Sequence, residues 1–309
     1  MIRTYYLLTK PGIIMGNAIT TVSGFLLASR GHFDAWLFLA TIIGLPSVIA
    51  SACVFNNYID RKSDAKMART KNRALVKGLI SGRNALLFAI FLGVFGITVL
   101  AIYTNLLAVF VAAIGFFVYV VLYSVWKYRS TYATLVGSIS GAVPPVVGYC
   151  AVSNRFDGGA VLLFLILVLW QMPHFFSIAM YRFSDYTAAS IPVLPVKKGT
   201  QITKIHMLLY IVAFMIATLL LTFCGYTGYV YLIAAAVVGT IWLWLCIKGF
   251  SAENDVRWGR QMFVYSLVLI TVLCFMISAD TVKGGPKSLE RSGPIISLLE
   301  NASNQLGGH

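Results

Sequence analysis

Charged residues are scarce in this chain. Asp, Glu, Lys and Arg make up 11% of its 309 residues, whereas ordinary soluble domains carry about 25%. Hydrophobic residues reach 59%, and the mean hydropathy is +0.83. Apolar runs recur along the chain, and runs of about 20 residues are long enough to cross a bilayer as helices. The lack of charge argues against an ordinary soluble domain and predicts a polytopic membrane protein.

Two further absences narrow the fold. The apolar runs are continuous and lack the alternation of a barrel strand, and a bilayer admits only helices or closed barrels. We therefore predict an all-α fold. The five cysteines are odd in number, lie in or beside apolar runs, and form no CxxC or CxxCH motif. We interpret them as free thiols. No cleavable signal or transit peptide is evident before the first run.

Nine apolar runs predict nine membrane spans. They cover residues 12–29, 35–55, 85–103, 106–125, 132–152, 159–180, 206–223, 227–247 and 261–279. Of the 24 Lys and Arg residues, 19 lie in the N-terminus and in the loops after even-numbered spans. The positive-inside rule then predicts a cytoplasmic N-terminus and an external C-terminus. Residues 1–280 are predicted to form the transmembrane domain, and residues 281–309 a disordered tail rich in Gly, Ser and Asn.

Basic residues outnumber acidic ones, with a net charge of +14. They are spread over several short loops, as expected for a protein that faces anionic lipid. We therefore predict membrane lipid, and no nucleic acid, as the partner of this charge.

Two of the ten acidic residues follow the second apolar run directly. Asn56, Asp60 and Asp64 are spaced four apart, so on a helix they share one face and drift by about 40° per step. Hard cations such as Mg²⁺ take oxygen ligands and share them with substrate phosphates. The stripe predicts a metal site at the water end of a membrane helix. The alternative is a cytoplasmic loop whose charges only report topology.

A second loop on the same side carries a comparable group. Asp185 lies just past the sixth span, with Arg182 before it and Lys197 after it. Lys127 and Arg129 follow the fourth span on that side. The two acidic groups could bracket one metal–diphosphate, and the cations could complete an anion clamp.

His174 is an ionisable residue inside an apolar span, beside Pro173. Such residues suggest function. Its possible roles are a haem or metal ligand, a proton acceptor, or a buried polar residue bonded to a carbonyl.

These segments resemble a known family. The pattern N-x-x-x-D-x-x-x-D at Asn56, Asp60 and Asp64 is similar to the first aspartate motif of the UbiA-type intramembrane prenyltransferases. The segments YSVWKYRSTYATLVGSISGAVPPVVGY and WQMPHFFSIAMYRFSDYTAASIPVLPVKKG resemble the haem-modifying branch of that family. The likeness covers about residues 8 to 280.

The resemblance implies nine helices around a central cavity that opens on the cytoplasmic side of the bacterial inner membrane. It implies Mg²⁺-dependent transfer of a farnesyl group from farnesyl diphosphate to a vinyl group of haem b, giving haem O. By carry-over, Asp60, Asp64 and Asp185 are catalytic and hold the metal together with Asn56. The implied diphosphate-binding residues are Arg73, Lys127, Arg129, Arg182 and Lys197, and His174 is the implied haem-binding residue. Contact with haem-processing or oxidase assembly proteins is a further expectation.

One departure and three alternatives accompany this interpretation. Many family members carry a second Asp where this chain has Ala189, which leaves the number of metals open. A prenyltransferase with a quinone-precursor or chlorophyll-like acceptor fits the same first motif. A membrane transporter also uses intramembrane charges and broken helices. A haem-handling assembly factor would need His174 but not the acidic residues.

Overall fold

A computed structural model describes residues 2–283. The predicted tail at 281–309 lies outside the described residues from 284 onward. Fourteen α-helices occur in the described range. They are α1 (Ile2–Leu8), α2 (Pro11–Ser29), α3 (Ala35–Asp64), α4 (Gly82–Tyr103), α5 (Leu106–Phe117), α6 (Ser124–Trp126), α7 (Ala133–Gly141), α8 (Val143–Ser153), α9 (Gly158–Tyr181), α10 (Phe183–Ala188), α11 (Leu194–Lys198), α12 (Thr200–Phe223), α13 (Tyr229–Lys248) and α14 (Asp255–Ala279).

Nine membrane-length segments confirm the predicted number of spans for the described residues. Three of them are composite, and in the eighth span α13 continues into a 3₁₀ turn, Gly249–Ser251. A π-helical stretch, Val118–Tyr123, joins α5 to α6, and α7 and α8 form one span that is interrupted at Ala142. The prediction of an all-helical membrane fold is confirmed.

The second span is longer than its apolar run. We predicted 35–55, but α3 continues to Asp64 and has 30 residues. The Asp34 carboxylate caps its start by accepting hydrogen bonds from the backbone N–H groups of Trp36 and Leu37. At the other end, the helix projects beyond the apolar stretch and carries its polar residues on a continuous helical face. The predicted stripe at Asn56, Asp60 and Asp64 is therefore helical.

The core is centred on α9, which packs against α7, α8, α12 and α14. Trp170 of α9 donates from its indole N–H to the Ser266 carbonyl on α14 at 2.9 Å. The helices α2 and α8 approach to backbone contact, because a Cβ at Gly24 would lie 2.0 Å from the Pro145 carbonyl oxygen. Such small residues let membrane helices pack closely where no water-driven core is available.

The spans alternate in direction and define two ends of the bundle. At one end α3, α6 and α9 finish and α2, α12 and α14 begin; we call this the cavity end. At the other end α2 and α8 finish and α3 and α9 begin; we call this the far end. The 19 Lys and Arg residues counted above belong to the cavity end.

Candidate functional site

A cavity of about 240 Å³ opens at the cavity end. Its wall combines three acidic or amide side chains, several cations, and an apolar and aromatic remainder. The lining comprises Lys10, Ile13, Asn56, Asp60, Asp64, Met67, Arg69, Arg73, Tyr119, Tyr123, Lys127, Ser130, Ala133, Thr134, Phe175, Ile178, Ala179, Tyr186, Ile191, Pro192 and Val193. Loops that are far apart in sequence therefore meet at one site.

The oxygen stripe of α3 faces into this cavity. Asn56, Asp60 and Asp64 all line it, and their exposed fractions are only 3%, 5% and 2%. Burying a carboxylate is costly unless it is paired. Each carboxylate of this stripe is therefore expected to have a cationic or hydrogen-bonding partner.

Both carboxylates of the stripe are paired with cations. The Asp60 carboxylate accepts from the Lys127 ammonium and from the Tyr128 hydroxyl at 2.8 Å. The Asp64 carboxylate accepts from the Arg73 guanidinium at 2.6 Å. The predicted cations Lys127 and Arg73 thus lie beside the predicted metal ligands.

Arg69 and Lys10 also line the cavity, and neither was predicted as a site residue; of the two, only Lys10 contacts the stripe. Its ammonium donates to the amide oxygen of Asn56 at 2.5 Å. The pKa of Lys10 is lowered to about 8, mainly because the ammonium group is buried. The nearby Arg73 contributes to this shift, whereas Cys53 and Asp60 partly oppose it. Lys10 has the left-handed backbone φ of 55°, which is unusual for a residue with a side chain and is often found at functional sites. The only sequence signal was its position directly before Pro11.

Two of the four aromatic side chains in the wall, Tyr119 and Tyr123, belong to one short segment. Tyr119 and Tyr123 lie in the π-helical stretch between α5 and α6, and their rings stack with centroids 5.6 Å apart. Both line the cavity. Short π-helical segments occur frequently at functional sites. The sequence showed only an apolar run here, so nothing in it marked these rings.

Asp185 lies beside the cavity wall and ties two loops together. Its carboxylate accepts from the backbone N–H of Ala68 at 3.2 Å, in the loop that follows α3. The side chain is buried but does not belong to the lining, whereas its neighbour Tyr186 does. The metal role predicted for Asp185 is not tested by this contact and stays a prediction.

The other predicted anion-binding residues lie outside the lining of the cavity. Arg129 and Lys197 are exposed. The Arg182 guanidinium stacks over the ring of Tyr181 at 4.3 Å from its centroid. Their roles in diphosphate binding remain predictions.

His174 is buried inside α9, next to the cavity. Its Nδ1 is 2.7 Å from the Ser266 hydroxyl of α14, and Trp170 stacks on its ring at 4.6 Å. The following residue, Phe175, lines the cavity. His174 therefore supports the wall from behind, and its predicted contact with haem stays a prediction.

The donor set suits a hard cation that shares its shell with phosphate. Residues 2–283 contain no cluster of three His, Cys, Asp or Glu side chains that could hold a metal alone. Mg²⁺ is usually bound by one or two carboxylates plus substrate phosphates, and the cavity offers two carboxylates and an amide oxygen. The amide nitrogen of Asn56 is buried without a partner, so this side chain retains hydrogen-bonding capacity for a ligand.

Solved structures share this fold. The chain superposes on digeranylgeranylglyceryl phosphate synthase with a TM-score of 0.76 and 18% identity, covering 91% of this chain and 99% of that one. A UbiA homologue from Archaeoglobus fulgidus bound to GPP and Mg²⁺ gives a TM-score of 0.60 and 16% identity, covering 89% and 99%. These likenesses establish the fold of the helical bundle.

Sequence comparison assigns the chain to a protein family. The pattern of the UbiA prenyltransferase family matches residues 17–268, and the chain belongs to that family. Protoheme IX farnesyltransferase of Edwardsiella ictaluri is 57% identical over 281 residues, covering 91% of this chain and 95% of the relative. The proteins of the same name from Protochlamydia amoebophila and Serratia proteamaculans are 54% and 56% identical, covering 91% and 94% of this chain and 100% and 98% of the relatives.

Proposed function

We propose that this chain transfers a farnesyl group from farnesyl diphosphate to a vinyl group of haem b, with addition of water, and so produces haem O. The observation that carries the proposal is the cavity at the cavity end of the bundle, which is lined by the oxygen stripe, four cationic side chains and several aromatic rings. The family membership and the shared name of relatives more than 50% identical support the choice of donor and acceptor.

The diphosphate binds at the polar side of the cavity. Asn56, Asp60 and Asp64 would hold Mg²⁺, which when bound neutralises charge on the leaving diphosphate. Lys10, Arg73 and Lys127 each contact one member of the stripe. When the diphosphate enters, these cations can turn from the stripe to the phosphate oxygens, because Arg and Lys bind phosphate strongly.

The apolar side of the cavity protects the reacting carbon. The allylic C–O bond breaks, and its electron pair leaves with the diphosphate. The farnesyl cation forms beside the lining residues Tyr119 and Tyr123, whose aromatic rings attract positive charge. Ile13, Phe175 and Ile178 keep water away at this stage.

The haem vinyl group supplies the electrons for the new bond. Its π pair forms a carbon–carbon bond with the farnesyl C1, and positive charge moves to the vinyl carbon next to the porphyrin. Water adds to this carbon and loses a proton, leaving a hydroxyethylfarnesyl substituent. The open rim of the cavity admits that water after the carbon–carbon bond has formed.

The protein is an integral membrane protein. We place the cavity end on the cytoplasmic side of a bacterial inner membrane, since 19 of the 24 Lys and Arg residues belong to that end. The isoprenoid chain then extends into the bundle or lipid while its charged head stays at the rim.

A product assay tests the function directly. The purified protein in detergent is supplied with haem b, farnesyl diphosphate and Mg²⁺, and the mass of the extracted haem is measured by mass spectrometry. We expect a haem heavier by a farnesyl group plus water, and loss of this product when Mg²⁺ is chelated. If the haem stays unmodified and the farnesyl group is found on an added phenolic acid, the acceptor is a phenolic compound and not haem b. Uptake of a solute into vesicles without any covalent product would favour a transporter.

A further inference from the structure

Two arginines share one tyrosine at the rim of the cavity end. The Arg182 guanidinium lies 4.3 Å from the centroid of the Tyr181 ring, and the Arg260 guanidinium lies 5.9 Å from it. The three ion pairs among residues 2–283 involve neither arginine. The two guanidiniums are therefore held near each other by one ring and have no acidic partner within the described chain.

The arginines stand above an aromatic wall. On α9, Phe175 and Ile178 line the cavity, and Arg182 continues their helical spacing at the end of the same face. On α14, Arg260 lies three residues before Phe263, whose ring is 5.2 Å from that of His174. Phe263 lies outside the cavity lining, so the wall nearest the two arginines is formed by α9.

Gly12 and Gly16 of α2 are exposed at the cavity end. A Cβ added at Gly12 or Gly16 of α2 would meet no atom within 4 Å, and Ile13 between them lines the same cavity as Phe175. The helices α9 and α14 themselves pack tightly at the rim, because a Cβ at Gly259 would lie 2.9 Å from that of Met180. A ligand therefore has no room between α9 and α14 at this level, and one that contacts both arginines has to lie outside this helix pair.

We propose that Arg182 and Arg260 bind the two propionate carboxylates of haem b, with the macrocycle against the cavity side of α9 at Phe175 and Ile178. This rests on the proposed function, because haem b is the acceptor named there. Guanidinium groups match carboxylates in geometry and charge, and the wall offers aromatic and apolar surface for the ring. The sequence had suggested a diphosphate contact for Arg182; its position outside the cavity lining and beside Arg260 favours the propionates.

The orientation follows from the chemistry of the ligand. The propionates and the vinyl groups occupy different edges of protoporphyrin IX. With the propionates held at the rim, the vinyl edge points into the cavity, where Tyr119 and the α3 stripe hold the farnesyl donor. Arg182 and Arg260 are thus binding residues that select the reacting edge of the haem.

The test compares haem b with its dimethyl ester, which keeps the ring but lacks both carboxylate charges. Full-length protein in detergent is titrated with each porphyrin, followed by its Soret absorbance, and separately with farnesyl diphosphate and Mg²⁺ by calorimetry. The variants are R182Q, R260Q and the double variant. The matched control is R257Q, which replaces an exposed arginine on the first turn of α14 that stacks on no aromatic ring among residues 2–283.

We expect wild-type protein and R257Q to bind haem b about 100-fold more tightly than the ester, since each charge-assisted contact contributes about tenfold. Each single variant should lose about tenfold of this preference, and the double variant nearly all of it. The affinity for farnesyl diphosphate should stay within about twofold. Double replacement by lysine should restore part of the preference, because charge returns without the planar fork.

Three results would overturn the inference. A preference for haem b retained in the double variant would exclude propionate binding at these arginines. A selective fall in the affinity of R182Q for farnesyl diphosphate would show that Arg182 binds the diphosphate and not a propionate. If wild-type protein bound farnesyl diphosphate but neither porphyrin, the proposed acceptor itself would fail, and the inference with it.

Discussion

Acidic residues have different partners at the two ends of the bundle. At the far end, Asp34, Asp157 and Asp280 accept hydrogen bonds from backbone N–H groups at helix starts, for example Gly159 to Asp157 at 2.9 Å and Tyr231 to Asp280 at 2.7 Å. At the cavity end, Asp60 and Asp64 accept from the side chains of Lys127 and Arg73. The same residue type therefore serves two purposes.

The difference lies in whether the partner can be exchanged. A helix cap satisfies a backbone donor that no ligand replaces without loss of the helix end. A lysine or arginine on a flexible side chain can leave a carboxylate when a phosphate and a metal enter. We infer that the far end stabilises the bundle, whereas the cavity end keeps its carboxylates available for ligands.

The largest effect is expected from Asp64. Replacement by Ala should lower product formation by on the order of a thousandfold or more, because a ligand and charge partner at the leaving group is lost. The assay is haem product by mass spectrometry at saturating substrates. Asp34→Ala at the far end is the matched control and should keep nearly full activity. Equal activity in the two variants would remove the functional distinction between the ends.

Asp185 is the intermediate case, because it lies at the cavity end but accepts from a backbone N–H. Asp185→Asn keeps an acceptor for Ala68 and removes the negative charge. If the predicted metal role holds, the Mg²⁺ concentration for half-maximal rate should rise by about tenfold. An unchanged Mg²⁺ requirement, with normal thermal stability, would limit Asp185 to tying the two loops.

Tyr119 tests the aromatic side of the cavity. Tyr119→Leu should lower kcat by about tenfold, since a desolvated cation–aromatic contact contributes up to about 2 kcal/mol, whereas Tyr119→Phe should keep most of the rate. The far-end counterpart is Tyr149, whose hydroxyl donates to Asp157; Tyr149→Phe should leave kcat unchanged. A Tyr119→Leu variant with wild-type kcat would exclude cation shielding by this ring.

The smallest effect on catalysis is expected at the far end itself. Asp157→Ala removes the cap of α9 and the acceptor of the Tyr149 hydroxyl. We expect a loss of about 1 to 2 kcal/mol of stability and unchanged kcat, as measured by thermal unfolding in detergent and by the product assay. Loss of kcat without loss of stability would contradict the structural role.

Much of the fold was predictable because hydrophobic run length follows from bilayer thickness. The nine spans and their alternating charge needed no knowledge of contacts. The boundary of α3 was missed by nine residues, since hydropathy reports where the membrane ends, whereas the helix continues to Asp64. The stripe itself was predictable because its spacing of four is local.

The rest of the site depended on residues that are distant in sequence. Lys10 lies 46 residues from Asn56, and a lone lysine before a proline has no distinctive pattern. Tyr119 and Tyr123 lie four apart in an apolar run, and only the packing of the bundle shows that the face they share lines the cavity. Arg260 has no motif around it and acquires meaning only beside Arg182.

The sequence by itself determined that the chain lies in a lipid bilayer, how many times it spans that bilayer, and that the oxygen stripe shares one helical face. These properties depend on residue hydrophobicity and on the fixed period of a helix. Tertiary structure decided which cations meet the stripe, which rings line the cavity, and which acids are only helix caps. These choices depend on how the helices pack against one another, and side-chain proximity across a bundle is a property of packing rather than of local sequence.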